Sequence, residues 1–135
     1  MGVLYFFIVG MAVCLTSCKE DSTIPPEYEN LNAPVTTNLT NNFTYSIIAK
    51  NYSGTTTNDL YFLSDSLLVT LTTSTYSSGQ AIVELSDSLH NTIFSDTVKS
   101  NKTVVITQGR TVKPKYCKIE ATNLSAKLVF VVLGQ

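Results

Sequence analysis

The sequence predicts an all-β domain: an antiparallel β-sandwich, jelly-roll-like in strand order, with about eight strands. Three observations carry that expectation. Beyond Asn42 the apolar residues alternate on a period of two, and no 3.6-residue stripe is sustained. Thr, Val, Ile, Tyr and Phe recur in short runs, which suits pleated, half-buried surfaces. Clusters of Ser, Asn, Asp and Gly separate those runs, as turns require. A chain of 135 residues holds one such domain and a tail. Charged residues make up 14% of it, which excludes both a charge-rich disordered chain and a helical protein built on Ala, Glu, Lys and Leu. The formal net charge of −1 supplies no global field toward nucleic acid or an anionic membrane surface.

The first element, residues 1–17, reads as a leader. Val3 to Leu15 are thirteen residues without charge, the length of a signal-peptide apolar core and too short to span ~30 Å of hydrocarbon. The small residues Thr16 and Ser17 follow, as a cleavage site requires. No Lys or Arg precedes the apolar run, so the amino terminus alone supplies its positive charge unless the true start lies upstream. An N-myristoyl signal needs Ser or Thr at the sixth position, where Phe6 stands.

Leu15-Thr16-Ser17-Cys18 resembles the lipobox of bacterial lipoproteins: a branched apolar residue, two small ones, then Cys. The resemblance implies that Cys18 is alkylated with diacylglycerol, exposed by cleavage before it, and acylated again at its new amino terminus. Cys14 fits less well, because the bulky Val13 precedes it. Several fatty chains on Cys18 anchor a protein firmly, so no transmembrane helix is needed. The next residues, Lys19-Glu20-Asp21, resemble the surface-export tag of Bacteroidota lipoproteins, a Lys followed by two acidic residues. That resemblance implies a protein carried across the outer membrane to face outward.

Residues 18–41 then read as the lipidated Cys and a tether, marked by Pro25, Pro26, Pro34 and scattered Asn. From Lys19 to Asn42 the chain reaches about 75 Å extended and about 25–30 Å as a coil. Residues 42–135 form the β-domain. "FTYSIIAK" puts Phe43, Tyr45, Ile47 and Ala49 on one face, and "LLVTLTT" turns Leu67, Val69 and Leu71 inward. "GQAIVELS" buries Ala81, Val83 and Leu85, and "YCKIEAT" buries Cys117, Ile119 and Ala121. "KLVFVVL" is apolar on both faces, as a central strand would be. Weaker strands are expected near Tyr61, Ile93 and Val104. The run "AIVELSDSLHNTIFSDTV" loosely resembles the central hairpin of pre-peptidase C-terminal and CUB-like sandwiches, with Leu89-His90-Asn91 in place of their glycine-containing corner.

Little in the domain points to catalysis. His90 is the only histidine and falls in a hairpin turn, where it lacks partners for a metal site and reads as solvated. Cys117 falls on an inward position and reads as a small buried hydrophobe. There is no phosphate-binding loop and no Cys-x-x-Cys pair. The expectation is therefore a non-enzyme with no cofactor. Asn58, Asp59, Asp65, Asp87, Asn91 and Asp96 fall in or near turns without the dense spacing of a calcium loop, so turn chemistry explains them better and no metal is expected. "RTVKPKYCK" brings Arg110, Lys113, Lys115 and Lys118 around Tyr116 and reads as a solvated loop and lysine-protected edge strand, with an anionic glycan or headgroup as the sharper alternative. Tyr52, Tyr61 and Tyr76 are candidates for a sugar-stacking platform, though the chain has no Trp.

Four of the five aspartates precede Ser or Thr and then Thr, Leu or Val. The pattern resembles the O-glycosylation acceptor of Bacteroidota secreted proteins and marks Ser22, Ser66, Ser88 and Thr97, although Ser-Asp-Ser clusters also make turns unaided. The expected protein is an outer-membrane, surface-exposed lipoprotein, held to the membrane by its lipid anchor, whose sandwich binds an envelope protein or a glycan and no nucleic acid. The alternative is a structural or accessory envelope component with no small ligand. An enzyme comes third.

Overall fold

The structure, a computed structural model, describes residues 31–109 and 113–135. The leader, Cys18 to Asp21, Ser22, most of the tether and Arg110 lie outside the described residues. The fold is all-β and antiparallel. Its strands are β1 (Val35–Leu39), β2 (Asn42–Asp59), β3 (Ser66–Ser86), β4 (Thr92–Val98), β5 (Lys102–Gly109) and β6 (Tyr116–Gly134). They lie in the order β1-β2-β6-β3-β4, with β5 also paired to β3.

Among the described residues the strands number six against the expected eight or so, because three of them are long and bent. β2 shifts register between Ala49 and Gly54, and β3 between Ser74 and Gln80, where each pairs with β6. Asn51, Thr75, Gly79 and Asn123 take positive φ there, between 49° and 79°. Extra residues at such bulges bend a strand and sharpen its twist. Ser side chains replace the interrupted ladder bonds: Asn51 N donates to Ser125 Oγ at 2.8 Å, and Asn123 N to Ser53 Oγ at 2.8 Å. Each long strand therefore serves two layers. The first layer runs β1, β2 (42–49), β6 (126–134), β3 (66–74) and β5. The second runs β2 (52–59), β6 (116–124), β3 (78–86) and β4.

Contacts between the layers show that the sheet folds over on itself. Phe94 of the second layer stacks on Phe130 of the first at 5.8 Å between centroids. Tyr45 of the first layer is buried and its phenol comes within the influence of Thr56 on the second, and burial pushes its pKa up to about 12. Every inward residue expected on "FTYSIIAK", "LLVTLTT", "GQAIVELS" and "YCKIEAT" is buried, and Leu128, Phe130 and Val132 join them. β6 is the central strand of both layers, as the doubly apolar "KLVFVVL" anticipates.

Three expectations need correction. Val35–Leu39, read as tether, is a strand on the edge of the first layer, paired with β2 from Val35↔Ser46 to Leu39↔Asn42. The segment near Tyr61 is not a strand but a loop. Asn41 holds it there, with its Oδ1 accepting from Leu63 N at 2.6 Å and Ser64 N at 3.1 Å. The alternation of that loop is real but serves to plug the end of the core with Leu60 and Phe62. Lastly, the strand carrying Lys118 is central rather than an edge. Period two keeps Lys118 and Glu120 outward and paired at 2.8 Å while Cys117 and Ile119 fill the core, so its charges tolerate a central place.

Candidate binding site

The bends and the 99–101 connection gather at one end of the sandwich, and the remaining long loops at the other. Leu31 and Asn32 attach at the bend end, where Asn32 N donates to Ile48 O at 2.8 Å and Lys50 N donates to Asn32 Oδ1 at 2.7 Å. β1 then runs its five residues, about 17 Å, toward the loop end. Three loops meet at that far end: 60–65, 87–91 and 113–115. They are tied together by backbone bonds, Leu60 N to Lys115 O at 2.7 Å and Lys115 N to Ser86 O at 2.8 Å.

Between these loops lies a cleft of about 530 Å³, lined by Leu60 to Leu63, Asp87 to Leu89 and Lys113 to Lys115. This size suits a small ligand or one or two residues of a larger one. Tyr61, Leu63 and Leu89 expose more than half of their surface on its rim, at 59%, 70% and 78%. Lys115 Nζ stands 5.1 Å from the centroid of the Tyr61 ring, a cation–π contact. Lys113 donates to the Leu63 carbonyl and lies 3.4 Å from Asp65. The cleft thus offers an aromatic face, aliphatic rims and two ammonium groups.

Asp87 builds one wall rather than offering a free carboxylate. Its Oδ1 accepts from Leu89 N at 2.7 Å and Asn91 N at 2.9 Å, and its Oδ2 accepts from Asn91 Nδ2 at 2.9 Å. The Asn91 side-chain bond, followed by backbone bonds, holds its pKa below the ordinary carboxylate value. A smaller hollow of about 330 Å³ lies on the outer face of the second layer, lined by Asp59, Glu84, His90, Tyr116 and Lys118 among others. There the exposed His90 stacks on Tyr116 at 4.7 Å.

The structure sorts the remaining candidates. Asp65 faces Lys113, Asp96 accepts from Lys102 Nζ at 2.6 Å, and only Asp87 and Asn91 of the six turn residues meet each other. Among the described residues no three His, Cys, Asp or Glu side chains converge. Cys117 is free and fully buried, and desolvation pushes its thiol pKa up to about 12, so it is a poor nucleophile. The tyrosines do not form one platform: Tyr61 belongs to the cleft, whereas Tyr52 and Tyr76 pack against the core near the bends. Ser88 and Thr97 are exposed, and Ser66 is half-buried as the first residue of β3. The pairing of Tyr61 with Lys115 joins two separate sequence candidates 54 residues apart.

No protein family and no curated protein matches the chain. Among solved structures it is similar to a disulfide-linked pilus of Bacillus endospore appendages, at 12% identity and a TM-score of 0.39, over 75% of this chain and 88% of that one. It is also similar to the capsular polysaccharide assembling protein CapF of Staphylococcus aureus, at 11% identity and a TM-score of 0.31, over 74% of this chain and 27% of that one. Likenesses at these TM-scores assign neither a fold family nor an activity.

Proposed function

We propose that this protein is an outward-facing outer-membrane lipoprotein, anchored through acylated Cys18, whose β-sandwich presents a binding or assembly surface away from the membrane. The observation that carries the reading is Leu15-Thr16-Ser17-Cys18 directly after an uncharged run. The polarity of the sandwich supports it. The chain enters the domain at the bend end, so an anchor upstream of Leu31 leaves the loop-end cleft directed outward. An envelope protein or a glycan is the partner class this cleft fits, through Tyr61 stacking and Lys113 and Lys115 charge. Ser22, Ser66, Ser88 and Thr97 are candidate O-glycan acceptors under the same reading.

The test is Cys18→Ala in the native host. Labelled palmitate enters the wild-type protein, and the variant carries none and keeps its uncut leader. A variant that still takes up label sinks the reading. Glycan arrays probed with the wild type and Tyr61→Ala then separate a sugar ligand from a purely structural role.

A further inference from the structure

The lysines of "KPKYCK" divide in the fold. Lys118 stands on the outer face of the second layer, paired with Glu120 at 2.8 Å, while Lys113 and Lys115 line the loop-end cleft. Among the lining residues they meet one carboxylate, Asp87, and both of its oxygens are taken up by its own turn. Asp65 holds Lys113 from outside at 3.4 Å, with 87% of its side chain exposed, so water and salt weaken the pair. The backbone of the cleft is more committed than its side chains. Leu60, Leu63, Asp87, Leu89 and Lys115 already donate their amide N–H within the protein, and Pro114 has none to give.

We infer that the cleft takes an acidic sugar: a pyranose bearing a carboxylate, as in a polysaccharide of uronic acids. The Tyr61 ring, on a residue 59% exposed, offers a flat apolar face on which a pyranose stacks. Lys115 Nζ stands 5.1 Å from the centre of that ring, within reach of a carboxylate on a sugar laid there. Lys113 supplies a second ammonium from the same loop. A neutral sugar would leave both ammonium groups without a partner in the ligand. The inference deepens the reading of this cleft as a binding surface and rests on it, and it is independent of the lipid anchor.

The committed backbone disfavours the rivals. A peptide laid in as an extra strand is held by main-chain hydrogen bonds. Six of the ten lining residues have no amide left to give it. Phosphate and sulfate are best gripped by the forked donors of arginine, and none is among the described lining residues. Lysine acts instead as a point charge, which suits a single carboxylate.

Saturation-transfer NMR on the purified full chain tests this with ligands titrated to ~10 mM. The probes are short oligomers of galacturonic, glucuronic and mannuronic acid, the methyl ester of each, and oligoglutamate. The esters keep the ring without the charge, and oligoglutamate keeps the charge without the ring. At least one acid binds about tenfold more tightly than its ester and than oligoglutamate, and added salt weakens it. Tyr61→Ala and Lys115→Gln each lower that affinity by about threefold or more, whereas Lys118→Gln on the outer face leaves it unchanged. An ester that binds as tightly as its acid overturns the inference and makes the cleft a neutral-sugar site. Oligoglutamate that binds as tightly as the acids overturns it in favour of an acidic protein partner. Acid binding that survives Tyr61→Ala or Lys115→Gln overturns it as well. So does silence from all three acids; the glycan array with Tyr61→Ala then reports separately whether the cleft binds a sugar at all. Palmitate labelling of Cys18 reports the anchor, whatever the cleft binds.

Discussion

Asp87 shows how a residue that resembles a catalytic or metal-binding group is consumed by the turn it builds. Both of its oxygens accept hydrogen bonds from the turn, and the Asn91 side chain is the main cause of its lowered pKa. A carboxylate with a depressed folded pKa contributes stability above its unfolded value, near 3.8, and that contribution fades as pH falls through the folded value. Acid should therefore loosen the β3–β4 turn, and Asn91→Ala should bring the Asp87 carboxyl back toward its ordinary titration. Carboxyl NMR titration measures this directly, and an Asp87 that already titrates normally in the wild type contradicts it. The local role was legible, since Asp-Ser followed by Asn is turn chemistry in any sequence. The fate of Cys117 was legible for the same reason, because alternation alone put it inside.

At the scale of elements, the sequence showed each arm of the long strands but not their continuity. The arms around Leu67 to Thr72 and Gln80 to Ser86 alternate clearly, while "STYSSG" between them has turn composition. In the fold that composition serves a bulged corner within one strand, and only the neighbouring β6, far along the chain, decides between corner and turn. Edge and centre were illegible for the same reason, since pairing partners are not local. Gly79 is the residue the corner depends on. Its φ is +79°, and an added Cβ would collide with the Asn123 carbonyl and the Leu124 amide of β6. Gly79→Ala should cost at least ~2 kcal/mol of unfolding free energy, from backbone strain and backbone collision together. Gly109→Ala, where a Cβ meets nothing within 4 Å, should change it by less than about 0.5 kcal/mol. Denaturant unfolding of the two variants decides, and equal small effects mean that the corner is not fixed at Gly79.

At the scale of the whole molecule, the cleft was the least legible feature. Tyr61, Leu89 and Lys115 lie in three loops far apart in sequence, and each has an ordinary local explanation. Only folding the sheet over at its bends brings the loops to one end. In the same folding Leu31 and Asn32 join the domain at the opposite end, so the proposed export role of Lys19-Glu20-Asp21 has a structural consequence. If Lys19-Glu20-Asp21 directs the lipoprotein outward, the loop-end lysines Lys113 and Lys115 face the medium on intact cells. Lys113 is 40% exposed at its side chain and is within reach of trypsin there. Replacing Lys19, Glu20 and Asp21 together with Ala should leave palmitate labelling of Cys18 unchanged, because the lipobox lies upstream of them. It should also protect the domain from trypsin until the cells are permeabilised, whereas the wild type is shaved without permeabilisation. Equal shaving of both proteins would reduce the tripeptide to the first residues of a tether, and loss of label from the variant would mean that the lipobox extends past Cys18.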